Sequence, residues 1–128
     1  MPLIGRKKLS AAMQQVSYVE TNDNIKGVYL AGLTNIVAGT PADTGRARNN
    51  WFLTVGSPSG KDTTIESKSG SNSNNQLDKM PDRVLNKKLY YTNNLDYIVG
   101  LEMGTSLQAP NGWVRKTLGL MMQKIKQL

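Results

Sequence analysis

Residues 40–51 read Thr40-Pro41-Ala42-Asp43-Thr44-Gly45-Arg46-Ala47-Arg48-Asn49-Asn50-Trp51, and the reading of this stretch decides the fold. It separates a long helical pattern from the first segment with strand character. Pro41 cannot continue a helix, and it pushes Thr40 towards an extended backbone. Asp43 and Thr44 can bond their own backbone, and Gly45 tolerates positive φ. Thr40 to Gly45 therefore reads as a helix stop followed by a tight turn. Arg46, Ala47 and Arg48 then alternate as an emerging strand does, and Trp51 is the first large apolar anchor. On residue chemistry alone this is a helix-to-strand corner.

Upstream of the corner, apolar residues at Met13, Val16, Val19, Ile25, Val28, Tyr29, Leu33, Ile36 and Val37 recur at spacings dominated by three and four. That is an amphipathic helix. Ser10 is its candidate N-cap, and Gly39 followed by Pro41 ends it. Thr21-Asn22-Asp23-Asn24 has poor helix propensity and good capping chemistry, which makes it a weak point in a nearly continuous helix. Residues 1–9, with Pro2, Gly5 and the run Arg6-Lys7-Lys8, read as a basic N-terminal arm.

Downstream, Ala47 to Val55 has strand periodicity. Trp51, Leu53 and Val55 point one way while Phe52 and Thr54 point the other, with both sides covered near Trp51-Phe52. Gly56 to Gly60 is a turn cluster, and Thr63–Glu66 a short return strand. Residues 67–76 contain no apolar side chain, so 67–82 reads as a polar surface loop that cannot contribute to a core. Val84 to Thr92 is a further strand, with Leu85, Leu89 and Tyr91 on one face. Asn93-Asn94 is a turn and N-cap for a short helix through Leu95, Ile98, Val99 and Met103, stopped by Gly104. Trp113, Val114, Leu118, Met121, Met122, Ile125 and Leu128 define a final amphipathic helix with Arg115, Lys116, Lys124 and Lys126 towards solvent. The order predicts one α+β domain over 10–128: a long N-terminal helix and a C-terminal helix packed on a small antiparallel sheet.

Composition bounds the chemistry. The 128 residues include no cysteine and no histidine. Thiolate metal sites, disulfides and every His-dependent nucleophile are therefore excluded. The net charge of +7 favours contact with polyanions or acidic protein surfaces. No apolar run approaches the ~20 residues needed to span a bilayer. The stretch after Arg6-Lys7-Lys8 is too weakly apolar for a signal peptide, so use without secretion by that route is expected. No cofactor is expected.

No catalytic cluster presents itself. Asp43 with Glu102 is the one carboxylate pair near turns, and such a pair is more often capping or salt-bridge chemistry than acid–base work. Thr44-Gly45-Arg46 lacks the spacing of a phosphate-binding loop. Arg46, Arg48, Lys87, Lys88, Arg115 and Lys116 would contact phosphates if they converged on one face, although charge runs are commonly just solvated. Met121-Met122 with Leu118 and Ile125 is core, or an oligomer interface if the face is too wide to bury.

Two segments together resemble one known family. The first is Thr40 to Trp51, with its Thr-Pro-x-Asp-Thr-Gly opening. The second runs from Tyr91-Thr92-Asn93-Asn94 through Leu101-Glu102-Met103-Gly104 to Ala109-Pro110-Asn111-Gly112-Trp113-Val114-Arg115. In order and spacing they resemble the neck and tail-completion (head–tail joining) proteins of tailed bacteriophages. Asp96 stands where that family more often has Pro or a small residue, and Met103 where an aromatic is frequent.

The resemblance implies a non-catalytic structural protein of the virion, assembled in the host cytoplasm. It implies a ring, typically hexameric, at the head–tail junction around the DNA channel. The partners would be other copies of itself, the head connector or adaptor, tail proteins and the packaged DNA, with no membrane. The expected assembly residues are Pro41, Asp43, Thr44, Gly45, Arg46, Arg48, Glu102, Gly104 and Pro110. Arg6, Lys7, Lys8, Lys87 and Lys88 are the expected DNA or rim contacts. Charge reversal at Arg46 and Arg48 is expected to block joining and leave the isolated fold intact. The alternative from another class is a basic protein that binds nucleic acid without reading sequence, and a carboxylate-dependent enzyme is a distant third.

Overall fold

The structure, a computed structural model, describes the backbone of residues 3–104 and 112–128, with side chains from Glu20 onward. Helix α1 runs unbroken from Leu3 to Gly39. A 3₁₀ turn at Ala47–Asn49 leads into strand β1, Phe52–Val55. A short helix α2, Ser71–Gln76, continues into a 3₁₀ turn at Leu77–Lys79. Strand β2, Leu89–Thr92, is followed by α3, Ile98–Glu102, and α4, Trp113–Lys126. The fold is α+β, as the pattern of periods predicts.

The sheet has two antiparallel strands, with Phe52 opposite Thr92, Leu53 opposite Tyr91, Thr54 opposite Tyr90 and Val55 opposite Leu89. Leu53, Leu89 and Tyr91 therefore share one face, and that face lies on α1 and α4. Leu33, Ile36 and Val37 of α1 meet Trp51, Leu53, Met80, Val84 and Trp113 in a single buried cluster. Trp51 stacks on Tyr91 with ring centroids 5.5 Å apart and 24° between planes. Trp51 and Phe52 are both buried, so both sides of the chain are covered there.

Several local expectations differ from what is found. The backbone is already helical at Leu3, so Ser10 is not an N-cap and residues 3–9 continue the helix. Thr21–Asn24 does not interrupt α1, because Asn22 uses its side chain elsewhere. Its Nδ2 donates to Asp82 O at 2.8 Å, and its Oδ1 accepts from Val84 N at 2.8 Å. Residues Ala47–Asn49 wind into a 3₁₀ turn, not a strand. The reason lies in Asn49 and Asn50, whose amides donate back to Gly45 O and Arg46 O, four residues earlier in each case. Thr63–Glu66 forms no strand, and the second strand begins at Leu89 where Val84 was expected.

The 67–82 segment is the largest correction. Ser73 is fully buried and Gln76 nearly so, and Met80 enters the core. The Ser73 hydroxyl accepts from Trp51 N at 2.9 Å, and Tyr91 donates its hydroxyl to Ser73 O at 3.0 Å. Hydrogen bonding orders residues 71–76, which have no apolar side chain, while Leu77 and Met80 pack on the core.

Candidate functional site

The corner at 40–51 is built on the C-terminus of α1. The last carbonyls of a helix lack partners within it, and the negative end of its dipole gathers there. α1 has no basic residue in its last turn. Arg48 supplies the missing cation from beyond the turn. Its Nη2 donates to Ala38 O at 3.0 Å and its Nε to Thr40 O at 2.9 Å, while Nη1 reaches Lys68 O at 2.7 Å. Thr40 N donates to Val37 O at 3.1 Å. Ile36 O accepts twice, from Thr40 Oγ1 at 2.7 Å and from the indole Nε1 of Trp113 at 3.2 Å. Thr40 Oγ1 in turn accepts from the Trp51 indole at 3.0 Å.

The turn itself is sealed by the excursion from 57 to 70. Gly45 has φ +88°, and a Cβ there would stand 2.6 Å from Ser67 O, so both conformation and space demand glycine. Asn49 donates to Ser67 O and accepts from Asn72 N at 3.0 Å. Asn50 exchanges two bonds with Thr63, donating to its carbonyl at 3.0 Å and accepting from its N–H at 2.9 Å. Arg46 Nε also donates to Thr63 O, at 3.3 Å. Asn49 and Asn50 are fully buried.

The second segment does the converse job at α4. Glu102 Oε1 accepts from Val114 N at 3.0 Å, and its Oε2 accepts from Arg115 N at 3.2 Å and Arg115 Nε at 3.0 Å. A carboxylate on the first N–H groups of a helix complements the positive end of its dipole. Gly112 N donates to Glu102 O at 2.7 Å, which ties the start of α4 to the end of α3. Gly104, at φ +103°, accommodates the exit from α3.

The two segments meet at one end of the molecule. Asn93 Nδ2 donates to Ala47 O at 3.0 Å, Tyr91 stacks on Trp51, and the Trp113 indole lies on the last turn of α1. Glu102 faces α4, so the link is made by Asn93, Tyr91 and Trp113. Sequence reading singled out none of these three for that role. The Asn-Asn pairs at 49–50 and 93–94 were the available signal, since adjacent amides suit turns that satisfy backbone groups.

The expected site residues divide clearly. Pro41 and Gly45 are buried, Arg48 is anchored, and Glu102 caps a helix. Asp43, Thr44 and Gly104 are exposed at this end, with Val99 of α3 and Met103 just past it both more than half exposed. Pro110 lies outside the described residues. Arg6, Lys7 and Lys8 fall on the helical backbone of α1. Lys87 and Lys88 are exposed, but they sit where Gly56 N bonds Lys88 O, at the end of the β1–β2 pair away from the corner. Strand geometry puts ~10 Å of β1 between them and Arg46–Arg48. Lys87 and Lys88 therefore stand apart from Arg46 and Arg48.

An apolar groove of about 290 Å³ opens between α1, the sheet and α4, lined by Leu33, Ile36, Leu53, Tyr91, Leu118 and Met121 among others. Among the described residues, no group of three Asp or Glu side chains is placed to hold a metal ion. No described helix is long and apolar enough to cross a membrane. No family model, curated protein or solved structure matches this chain.

Proposed function

We propose that this chain is a structural protein of a tailed-phage virion, a subunit of a ring at the head–tail junction. One observation carries the reading. The two segments that resemble the neck and tail-completion family lie far apart in sequence yet meet at one end of the domain, through Asn93 on Ala47 O and Tyr91 on Trp51. There they fix the C-terminus of α1 and the N-terminus of α4 and leave Asp43, Thr44, Met103 and Gly104 facing outward. A rigid end with a few exposed polar and apolar groups suits protein–protein contact more than catalysis. The separation of Lys87 and Lys88 from Arg46 and Arg48 weighs against one phosphate-binding patch made of these four, since such a surface needs positive charge in one groove or stripe.

The test is mass measurement and class-averaged imaging of the purified protein, alone and mixed with head connectors or tail tubes. A ring in either condition supports the reading. Absence of rings in both, with salt-sensitive duplex DNA binding instead, overturns it. In the infected cell, Asp43→Arg is expected to block head–tail joining without lowering the melting temperature of the isolated protein. Normal infectivity of that variant removes the corner from the interface.

A further inference from the structure

Helix α4 presents an outer stripe at Arg115, Gly119, Met122 and Lys126, spaced by four, three and four residues. Met122 is 58% exposed, and Leu118 beside it is 46% exposed. The helix carries Arg115, Lys116, Lys124 and Lys126 and no carboxylate. On α1 the outward stripe is Glu20, Asn24, Gly27, Ala31, Thr34 and Ala38, all exposed. A solvated helix face ordinarily carries charge. This one has none from Asn24 to Ala38, and its two nearby acids, Glu20 and Asp23, stand at the N-terminal end.

The helix-interior glycines distinguish packed faces from open ones. Gly32 and Gly39 make room for a neighbour, since a Cβ at Gly32 would strike the Met121 side chain and one at Gly39 the Trp113 ring. They let α4 settle on α1. Gly27 and Gly119 have nothing within 4 Å of a Cβ among the described residues. Glycine is the poorest helix former after proline, and no contact among the described residues accounts for these two.

We propose that a second copy of this chain lays its α4 antiparallel along the outer face of α1, with Gly119 crossing Gly27 and Lys126 over Glu20. The register fits. Lys126 lies seven residues beyond Gly119, and Glu20 lies seven before Gly27, so an antiparallel pair places both ~10 Å from the crossing. Met122 then falls opposite Asn24, each three residues from its glycine. A shallow crossing of about 20° keeps the ends within reach of long side chains. The contact uses different patches on the two copies, so it propagates from one copy to the next and closes a ring if the rotation permits. For its biological setting the inference rests on the ring reading.

The cysteine-free sequence permits a direct trap. Asn24→Cys chains mixed with Met122→Cys chains and mildly oxidised are expected to give a disulfide-linked dimer in excess of either variant alone. In sedimentation equilibrium, Glu20→Lys and Lys126→Glu are each expected to weaken self-association, by up to ~5-fold for an exposed ion pair, and together to restore it. Gly27→Leu is expected to abolish self-association while its melting curve shows a folded subunit. A mixture that cross-links no better than the single variants overturns the proposal, as does a double swap that fails to rescue, or a wild-type chain that stays monomeric. If wild-type rings form and Gly27→Leu leaves them intact, this contact is wrong and the ring reading stands. If rings form neither alone nor on connectors, the ring reading falls, and the cross-link, the double swap and self-association in solution still decide the contact.

Discussion

Thr40 and Trp51 share one buried hydrogen bond: the indole Nε1 donates to Thr40 Oγ1 at 3.0 Å, and the Thr40 hydroxyl in turn donates to Ile36 O at 2.7 Å. Thr40 is fully buried. The pair ties the first residue after α1 to the first large anchor before β1, so the corner angle depends on a hydroxyl. Thr40→Val keeps the volume and leaves the indole N–H unpaired in the core. A cost of about 1–3 kcal/mol is expected, the penalty of an unsatisfied buried donor. That lowers the melting temperature by roughly 4 °C per kcal/mol in a chain of this size. Thr40→Ser retains the bond and is expected to lose less than half as much. Equal losses would show that the methyl group matters and the hydroxyl does not.

Arg48 and Arg46 differ in what they hold. Arg48 places three guanidinium nitrogens on Ala38 O, Thr40 O and Lys68 O, whereas Arg46 makes one side-chain bond, to Thr63 O. Arg48→Glu puts a negative charge against the negative end of α1 and is expected to cost about 2–4 kcal/mol, from lost charged hydrogen bonds and the helix dipole. Arg46→Glu is expected to cost about 1 kcal/mol or less. Urea unfolding midpoints of the two variants measure the difference. The expectation that both reversals leave the fold intact therefore holds at most for Arg46, and an assembly defect in an Arg48 variant says little about an interface.

How much of this was legible in the sequence follows from which interactions are local. The stop at Gly39 is written in the Gly39–Pro41 pair, and the start of α4 at Trp113 and the common face of Leu89 and Tyr91 in apolar spacing, and the structure has all three. Arg48 is different: its partners lie 8, 10 and 20 residues away and are all carbonyls, which carry no sequence signature. Ser73 is harder still. It is buried because Trp51 N, 22 residues earlier, needs an acceptor, and nothing in a Ser/Asn-rich run announces that. Glu102 was legible as a carboxylate beside a turn, but its targets lie 12 and 13 residues further on.

Tyr91 gives the molecule an alkaline limit. Burial among Trp51 and the sheet face pushes its hydroxyl well above the ordinary 10.0, because the phenolate would lose solvation. The folded state therefore holds the proton more firmly than the unfolded chain. The resulting stability is full below pH 10 and is lost as pH rises above it towards the folded-state value. Tyr91→Phe removes this titration. Its unfolding midpoint, measured from pH 8 to 11, is expected to fall less steeply above pH 10 than that of the wild type. Parallel curves for the two proteins would assign the alkaline loss to other groups.

Asn49 and Asn50 hold the 57–70 excursion against the corner, Asn49 through Ser67 O and Asn50 through both backbone groups of Thr63. Lys61 and Lys68 are exposed on that excursion, and the fold presents no strand pairing there to protect them. Local opening should then set the rate of tryptic cleavage. Asn50→Ala frees Thr63 without touching Ser67, so cleavage after Lys61 is expected to accelerate more than cleavage after Lys68. Asn49→Asp replaces a buried donor by a carboxylate facing Gly45 O and Ser67 O. It is expected to cost about 3 kcal/mol or more, because the new oxygen of a buried charge would face two acceptors and only Oδ1 would keep its donor, Asn72 N. It should speed cleavage at both sites through global unfolding. Peptide mapping over a digestion time course separates the two patterns. Uniform acceleration in both variants would mean that the excursion and the corner open as one unit, and that the two asparagines act together and not as separate clasps.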